Sequence, residues 1–561
     1  MRRGSPPCRL LFYNDMKNTT KFLAGAVLVI AAAACASPAK MAKMAENVKV
    51  ESDPVVLEAV AGQVATTVSV TYPKDYFNPK AILEVTPVIV YDGGEAKLPA
   101  LKYQGEKVKD NYKVVSSNGQ TVTENLVFDY VEGMENSYLE LRGVAKVKKK
   151  SVSLPARKVA DGCNTTYMLV KTGARVPLKA DGYQDVIALS SEGQILYLVN
   201  SSEVRSGELK SQSIKDFQAE LDRIAADERT TLKGTEIVAY ASPEGEIDLN
   251  NKLSGKRSES ANKAWAQVTK GHEATDPELK SAGEDWEGFQ KLVSESDIQD
   301  KNLILRVLSM YSDPAVRESE IRNMSEIFTE LKGEVLPELR RARLIVNSEY
   351  QNYTADELKE IVEKDVESLD EAALLRSATL YKEDARKISL YQKAIDKFDS
   401  NTARFNLATV YLRQGKLDAA EKQVRSLDKD ADVKNLLGAI ALKQEEYEVA
   451  ARYFTEAGTD AARANLGVVD ILTGEYEKAV QDLQGLPGCK FNLALAYLLN
   501  GQLDECMATT QEDHARCFYL KAIVAARQGD GDKVAEYLAK ASKDEALRER
   551  AEKDIEFVDF R

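Results

Sequence analysis

Apolar and polar positions alternate through the N-terminal third of the chain. Val64–Tyr72 (VATTVSVTY) sets β-branched residues on one face and polar ones on the other, the period of a half-buried strand. Ala81–Tyr91 (AILEVTPVIVY) follows and stops at Asp92-Gly93-Gly94, a hairpin signal. The period recurs at Asn125–Tyr130, Ser137–Lys148 and Ile187–Leu198. Short strands at this spacing predict a β-sandwich-like domain over 48–184. Beyond 184 the periods mix. Gln194–Val199 reads as a strand. Ser213 is a candidate cap for a helix with the stripe Phe217, Leu221 and Ile224. Ile237–Ala241 reads as the next strand and Asp248–Thr269 as the next helix. A polar, mostly helical insertion is expected at about 270–335, and a final strand closes at Val346. These elements form an α/β domain over 185–350. From 351 to 561 the pattern is helical and repetitive.

The 561 residues are 44% apolar and 29% charged, an ordinary globular composition, and the length suggests three or four domains. The net charge of −13 argues against nucleic-acid binding, which needs a basic face. The clearest address is N-terminal. Lys17 and Lys21 follow Met16, the expected true start, and Phe22–Ala34 is apolar but too short to span a bilayer. Residues 1–34 thus read as a signal peptide. Ala32-Ala33-Ala34-Cys35 resembles a bacterial lipobox, which implies lipidation of Cys35, with 35–47 as the linker that follows. Cys163, Cys489, Cys506 and Cys517 show no C-x-x-C spacing, so no metal site and no cofactor is expected. Cys506 and Cys517 read either as a disulfide or as small buried residues on repeat helices.

The C-terminal repeats carry small and aromatic residues at fixed offsets. Leu407-Ala408, Leu437-Gly438, Leu466-Gly467 and Leu493-Ala494 open successive units about 28–30 residues apart, and Ala522 to Ala541 closes the array. These units resemble tetratricopeptide repeats, which implies an all-α solenoid with a curved surface for a protein partner.

One stretch of the middle domain carries a second resemblance. After the strand Glu236–Tyr240 comes the turn Ser242-Pro243-Glu244-Gly245, and then N-x-x-L-S-x-x-R at Asn250, Leu253, Ser254 and Arg257. This is similar to the OmpA-like, peptidoglycan-associating domain. The resemblance implies that the arginine fork takes a carboxylate of the wall peptide and that an aspartate of the turn pairs with its ammonium group. Gly245 keeps the turn's closing glycine. Ser242 stands where the family has aspartate, and Glu244 is the candidate stand-in.

The chain contains two histidines and none of the G-x-S-x-G, H-E-x-x-H, P-loop or G-x-G-x-x-G motifs, so no catalytic residue is assigned. The resulting expectation is a multi-domain α+β lipoprotein: a β-sandwich-like domain, an OmpA-like α/β domain and a C-terminal tetratricopeptide solenoid. It would be lipid-anchored in the outer membrane. Ser37-Pro38-Ala39-Lys40 follows the cysteine in place of an acidic export run, which favours the periplasmic face. The expected partners are peptidoglycan through Ser242, Gly245, Asn250, Leu253, Ser254 and Arg257, a protein on the repeats, and the membrane through the lipid. The alternative is an envelope-complex adaptor whose OmpA-like domain no longer holds the wall. A wall hydrolase is the third reading, disfavoured by the missing motifs.

Overall fold

The computed structural model describes residues 38–510 and 513–561. The signal segment and Cys35 lie outside the described residues. The chain forms two compact units: residues up to Lys179 together with Asp399–Arg561, and Ala180–Phe398.

The first unit combines a β-rich N-terminal region with the C-terminal helical repeats. Gln63–Tyr72 pairs antiparallel with Gln120–Asp129 in unbroken register, from Gln63↔Asp129 to Tyr72↔Gln120. Ile82–Tyr91 pairs antiparallel with Ser137–Val147. Arg157–Asn164 lies beside Ser137–Val147 and runs parallel to Val56–Val60, which also pairs with Gln63–Tyr72 and so joins the two halves. The period-2 pattern explains the burial. Val64, Val68, Leu83 and Leu139 point into the core. On the opposite face the Thr67, Ser69 and Thr71 hydroxyls bond across to Asn125, Thr123 and Thr121.

Five helix pairs follow: Asn401–Arg413 with Leu417–Val424, Ala431–Lys443 with Tyr447–Ala457, Asp460–Thr473 with Tyr476–Leu483, Lys490–Leu499 with Leu503–Thr509, and Ala515–Arg527 with Gly531–Ala541. Glycines at 415, 474, 501 and 529 end the first helix of four pairs with positive φ, the left-handed cap that L side chains resist. The second pair has Glu445 there, at φ 62°. Ala408, Gly438, Gly467 and Ala494 let the helices of each pair approach closely. A Cβ on Gly438 would stand 2.6 Å from the Phe454 ring, and one on Gly467 would stand 2.5 Å from Leu483. Phe454 and Leu483 therefore fill the space inside their own pair rather than the gap to the next. The repeat helices and the β-rich region bury one continuous apolar cluster.

In the second unit, four strands lie in the order Val186–Leu196, Arg341–Gln351, Thr230–Ala241, Glu278–Glu284. The first two contacts are antiparallel and the last is parallel. Gln212–Ala226 and Ile247–Val268 bury Phe217, Leu221 and Trp265 against Ile195, Ile237 and Leu344. The first of these helices is capped by Ser211, whose hydroxyl accepts from the Ile214 amide; Ser213 instead accepts from the Gln194 amide, 2.9 Å away. Glu278–Glu284 falls where the sequence suggested helix. It is an edge strand exposed on both faces for most of its length, so no apolar alternation marks it. Short helices from Trp286 to Leu339 bury a cluster of their own, and three more helices between Ala355 and Phe398 complete the unit. Among the described residues, no helix is long and apolar enough to cross a membrane.

Candidate functional site

The turn after Thr230–Ala241 brings the motif residues together, but on the chain's own groups. Arg257 lies on Ile247–Val268 and is 1% exposed. Its Nε donates to Ser201 O at 2.9 Å, Nη1 to Tyr240 O at 2.8 Å and Nη2 to Leu198 O at 3.2 Å. The guanidinium also stacks over the Tyr197 ring, 5.1 Å from its centroid. Burial pushes its pKa down to about 10. The fork that the resemblance assigns to a wall carboxylate is thus a brace tying the end of one strand to the loop after another.

Asn250 plays a similar part. Its Nδ2 faces Ser242 O at 3.2 Å, Gly245 O at 2.9 Å and Glu284 Oε1 at 2.8 Å, closing the turn onto the helix. A Cβ at Gly245 would meet Asn250 Oδ1 at 3.0 Å, a tight contact that the Asn250 side chain would have to relieve by a small shift. Ser254 is fully buried and shares a 2.7 Å hydrogen bond with Ser281. Leu253 is half-buried. The Ser242 hydroxyl donates to Glu244 Oε1 at 2.9 Å, and Arg340 Nε donates to the same oxygen at 2.9 Å. Glu244, the candidate substitute for aspartate, is therefore already paired. Cys506 and Cys517 are both buried and are not joined in a disulfide, and burial pushes the Cys506 thiol up to about 12.

A second constellation, unmarked in the sequence reading, lies in the first unit. Residues 170–179 form neither helix nor strand. Their backbone is held by asparagines of the repeats. The Lys171 amide donates to Asn492 Oδ1 at 2.9 Å, and Asn492 Nδ2 donates back to Lys171 O at 3.0 Å. Asn465 grips Arg175 in the same two-way manner, at 2.7 and 2.9 Å, and Asn406 grips Lys179 at 2.8 and 3.1 Å. Asn435 adds a bond to Arg175 O at 2.8 Å and accepts one from Asn465. Each carboxamide offers a donor and an acceptor side by side, as a neighbouring β-strand would. The clamped residues lie four apart and run from the fourth repeat to the first. Eight extended residues reach about 26–29 Å, which matches three steps between packed helices at about 8–10 Å each.

A signal for this row was present. Asn406, Asn465 and Asn492 stand nine residues before Gly415, Gly474 and Gly501, one in each of three repeats. The second repeat has Leu436 at the equivalent place, with Asn435 one residue earlier.

A family model described as a tetratricopeptide repeat matches residues 401–426, the first helix pair. The C-terminal region carries a tetratricopeptide repeat. Among solved structures, 22 chains match. The chain is similar to a tetratricopeptide repeat protein from Parabacteroides merdae, with 16% identity and a TM-score of 0.29 over 36% of this chain and 91% of that one. It is similar to PilF of Pseudomonas aeruginosa, with 19% identity and a TM-score of 0.27 over 34% and 92%. It is also similar to YrrB, described as a TPR protein with an unusual peptide-binding site, with 21% identity and a TM-score of 0.20 over 36% and 100%. No curated protein matches. Tetratricopeptide repeats point to protein–protein interaction as the role of this region.

Proposed function

We propose that the chain is a non-catalytic interaction scaffold of the bacterial envelope, anchored through a lipid on Cys35 at the periplasmic face of the outer membrane. In this reading the middle domain keeps an OmpA-like fold as a docking element and does not hold peptidoglycan. The burial of Arg257 carries the reading, because a guanidinium 1% exposed, with three of its five N–H donors on backbone carbonyls, offers a wall carboxylate little surface to reach. A second reading keeps peptidoglycan contact. In that reading the contact would be made by the Arg340–Glu244 ion pair, which lies beside Ser242 at the turn.

Sedimentation of the full chain with insoluble peptidoglycan separates the two. The scaffold reading expects the protein to stay in the supernatant. Pelleting of the wild type, weakened by Arg340→Ala, would replace it with the wall-anchor reading. Labelling of cells with radioactive palmitate tests the anchor: label is expected on the wild-type chain and absent from Cys35→Ala. A wild-type chain without label removes the membrane from the proposal.

A further inference from the structure

The asparagine row holds residues 171–179 by more than backbone pairing alone. Two of the asparagines follow a phenylalanine: Phe405-Asn406 and Phe491-Asn492. The Lys179 ammonium lies 5.2 Å from the centre of the Phe405 ring, and that of Lys171 lies 4.7 Å from the centre of the Phe491 ring. Lys179 also pairs with Asp430 at 2.6 Å, and Arg175 Nη1 donates to Pro487 O at 2.6 Å. Each clamped position therefore has its main chain read by a carboxamide and its cation read by a ring, a carboxylate or a carbonyl.

The bound segment does not fill the site. A Cβ on Gly173 would meet nothing within 4 Å. A cleft of about 260 Å³ opens beside it, with Ala464, Val468, Cys489 and Phe491 in its wall. The segment leaves apolar surface there that a larger side chain would cover.

We propose that the repeats are a receptor for extended peptides carrying a Lys or Arg at every fourth residue and an apolar side chain two residues after the first cation. Residues 171–179 are its built-in, displaceable occupant. Tethering gives that occupant an effective concentration on the order of millimolar, so an external peptide binds well only when it fits better or when the segment is loosened. The proposal rests on reading the repeats as an interaction surface. Its failure leaves the envelope reading standing on the sedimentation and palmitate experiments.

The test uses a fluorescent peptide with the sequence of residues 168–182 and the full-length chain. Lys171→Pro with Arg175→Pro removes two of the three clamped amides. This opened chain is expected to bind the peptide at least tenfold more tightly than wild type. Adding Asn465→Ala should abolish the gain. A peptide with Glu at positions 171, 175 and 179 should not bind, and one carrying Gly173→Leu should bind several-fold more tightly than the parent. An opened chain that keeps its helical circular dichroism yet binds the basic and acidic peptides alike, or neither, overturns the proposal. Should the double variant fail to fold, amide exchange of the wild type decides. The Lys171, Arg175 and Lys179 amides should be protected, and millimolar basic peptide should speed their exchange. Exchange indifferent to the peptide overturns the proposal equally.

Discussion

Arg257 and Asp470 are both buried charged residues, and their partners decide what each one does. Arg257 finds three carbonyls and serves as a brace. Asp470, on Asp460–Thr473, is 7% exposed, and its carboxyl is pushed up to about 7. Burial is the first cause, and a hydrogen bond with Asp482 and that residue's charge are the next; Lys478 acts the other way and Glu475 adds to the rise. The folded state therefore holds this proton more tightly than the unfolded chain, whose carboxyl titrates near 3.8. The stabilisation from that proton is fully present below about pH 4 and is lost as pH rises through about 7. Asp470→Asn carries no such proton. Between pH 5 and 8 wild type should lose on the order of 2–4 kcal/mol that the variant keeps. Urea titrations of both chains, followed at 222 nm, measure the difference, and parallel losses in the two chains would show that the pair is solvated. Neither residue's environment was legible in the sequence. An arginine in N-x-x-L-S-x-x-R and an aspartate in a repeat helix look alike whether they face water or the chain's own backbone.

At the scale of elements, legibility followed apolar contrast. The strands around 64–72, 82–91 and 137–147 were readable because one face is apolar and the other is not. Glu278–Glu284 was missed because both faces are polar and most of its side chains are exposed. The repeats were readable from their small residues, and the packing shows why these are small. Gly438 faces Phe454 and Gly467 faces Leu483, sixteen residues on in each case, whereas Ala408 and Ala494 have Val424 and Thr510 at that offset. Volume is thus shared across each pair. In an open helix Gly→Ala would stabilise by about 1 kcal/mol. At Gly467 the new methyl lands 2.5 Å from Leu483 Cγ, which is not a free end that can swing away. Gly467→Ala should therefore destabilise the first unit by about 1–3 kcal/mol, and adding Leu483→Ala should recover part of the loss. A double-mutant cycle in urea reads the coupling, and simple additivity would refute the steric account. The asparagine row is hard to read from sequence for a different reason. Its positions recur, but its ligand lies more than 200 residues earlier in the chain.

At the scale of the molecule, the β-rich region and the repeats form one unit although Ala180–Phe398 separates them in sequence. Besides the shared apolar cluster, hydrogen bonds from Asn164 and Thr166 to the ion-paired Glu556 link them at the far end of the array. Arg527 Nη2 donates to Glu556 Oε1 at 2.5 Å, and Nη1 donates to Leu498 O at 2.9 Å. Glu556 also accepts from Asn164 Nδ2 at 2.8 Å and from the Thr166 hydroxyl at 3.1 Å. The two charged side chains are 15% and 7% exposed. Arg527→Met keeps most of the volume and strands the Glu556 carboxylate, a loss of about 3–5 kcal/mol for a buried pair. If the pair serves both regions, amide exchange should accelerate by a common factor, about 10²–10⁴, in Gln63–Tyr72 and in Ala515–Arg527. The chain supplies its own control, because Trp265 and Trp286 are its only tryptophans and both belong to the second unit. Tryptophan fluorescence should hold its urea midpoint in the variant while the exchange of the first unit changes. Acceleration confined to the repeats would mean that the β-rich region stands on its own core and that the Asn164 and Thr166 contacts are incidental. Acceleration in both regions makes residues 164–179 a strap whose two ends, the Glu556 junction and the Asn406 clamp, hold the β-rich region to the repeats.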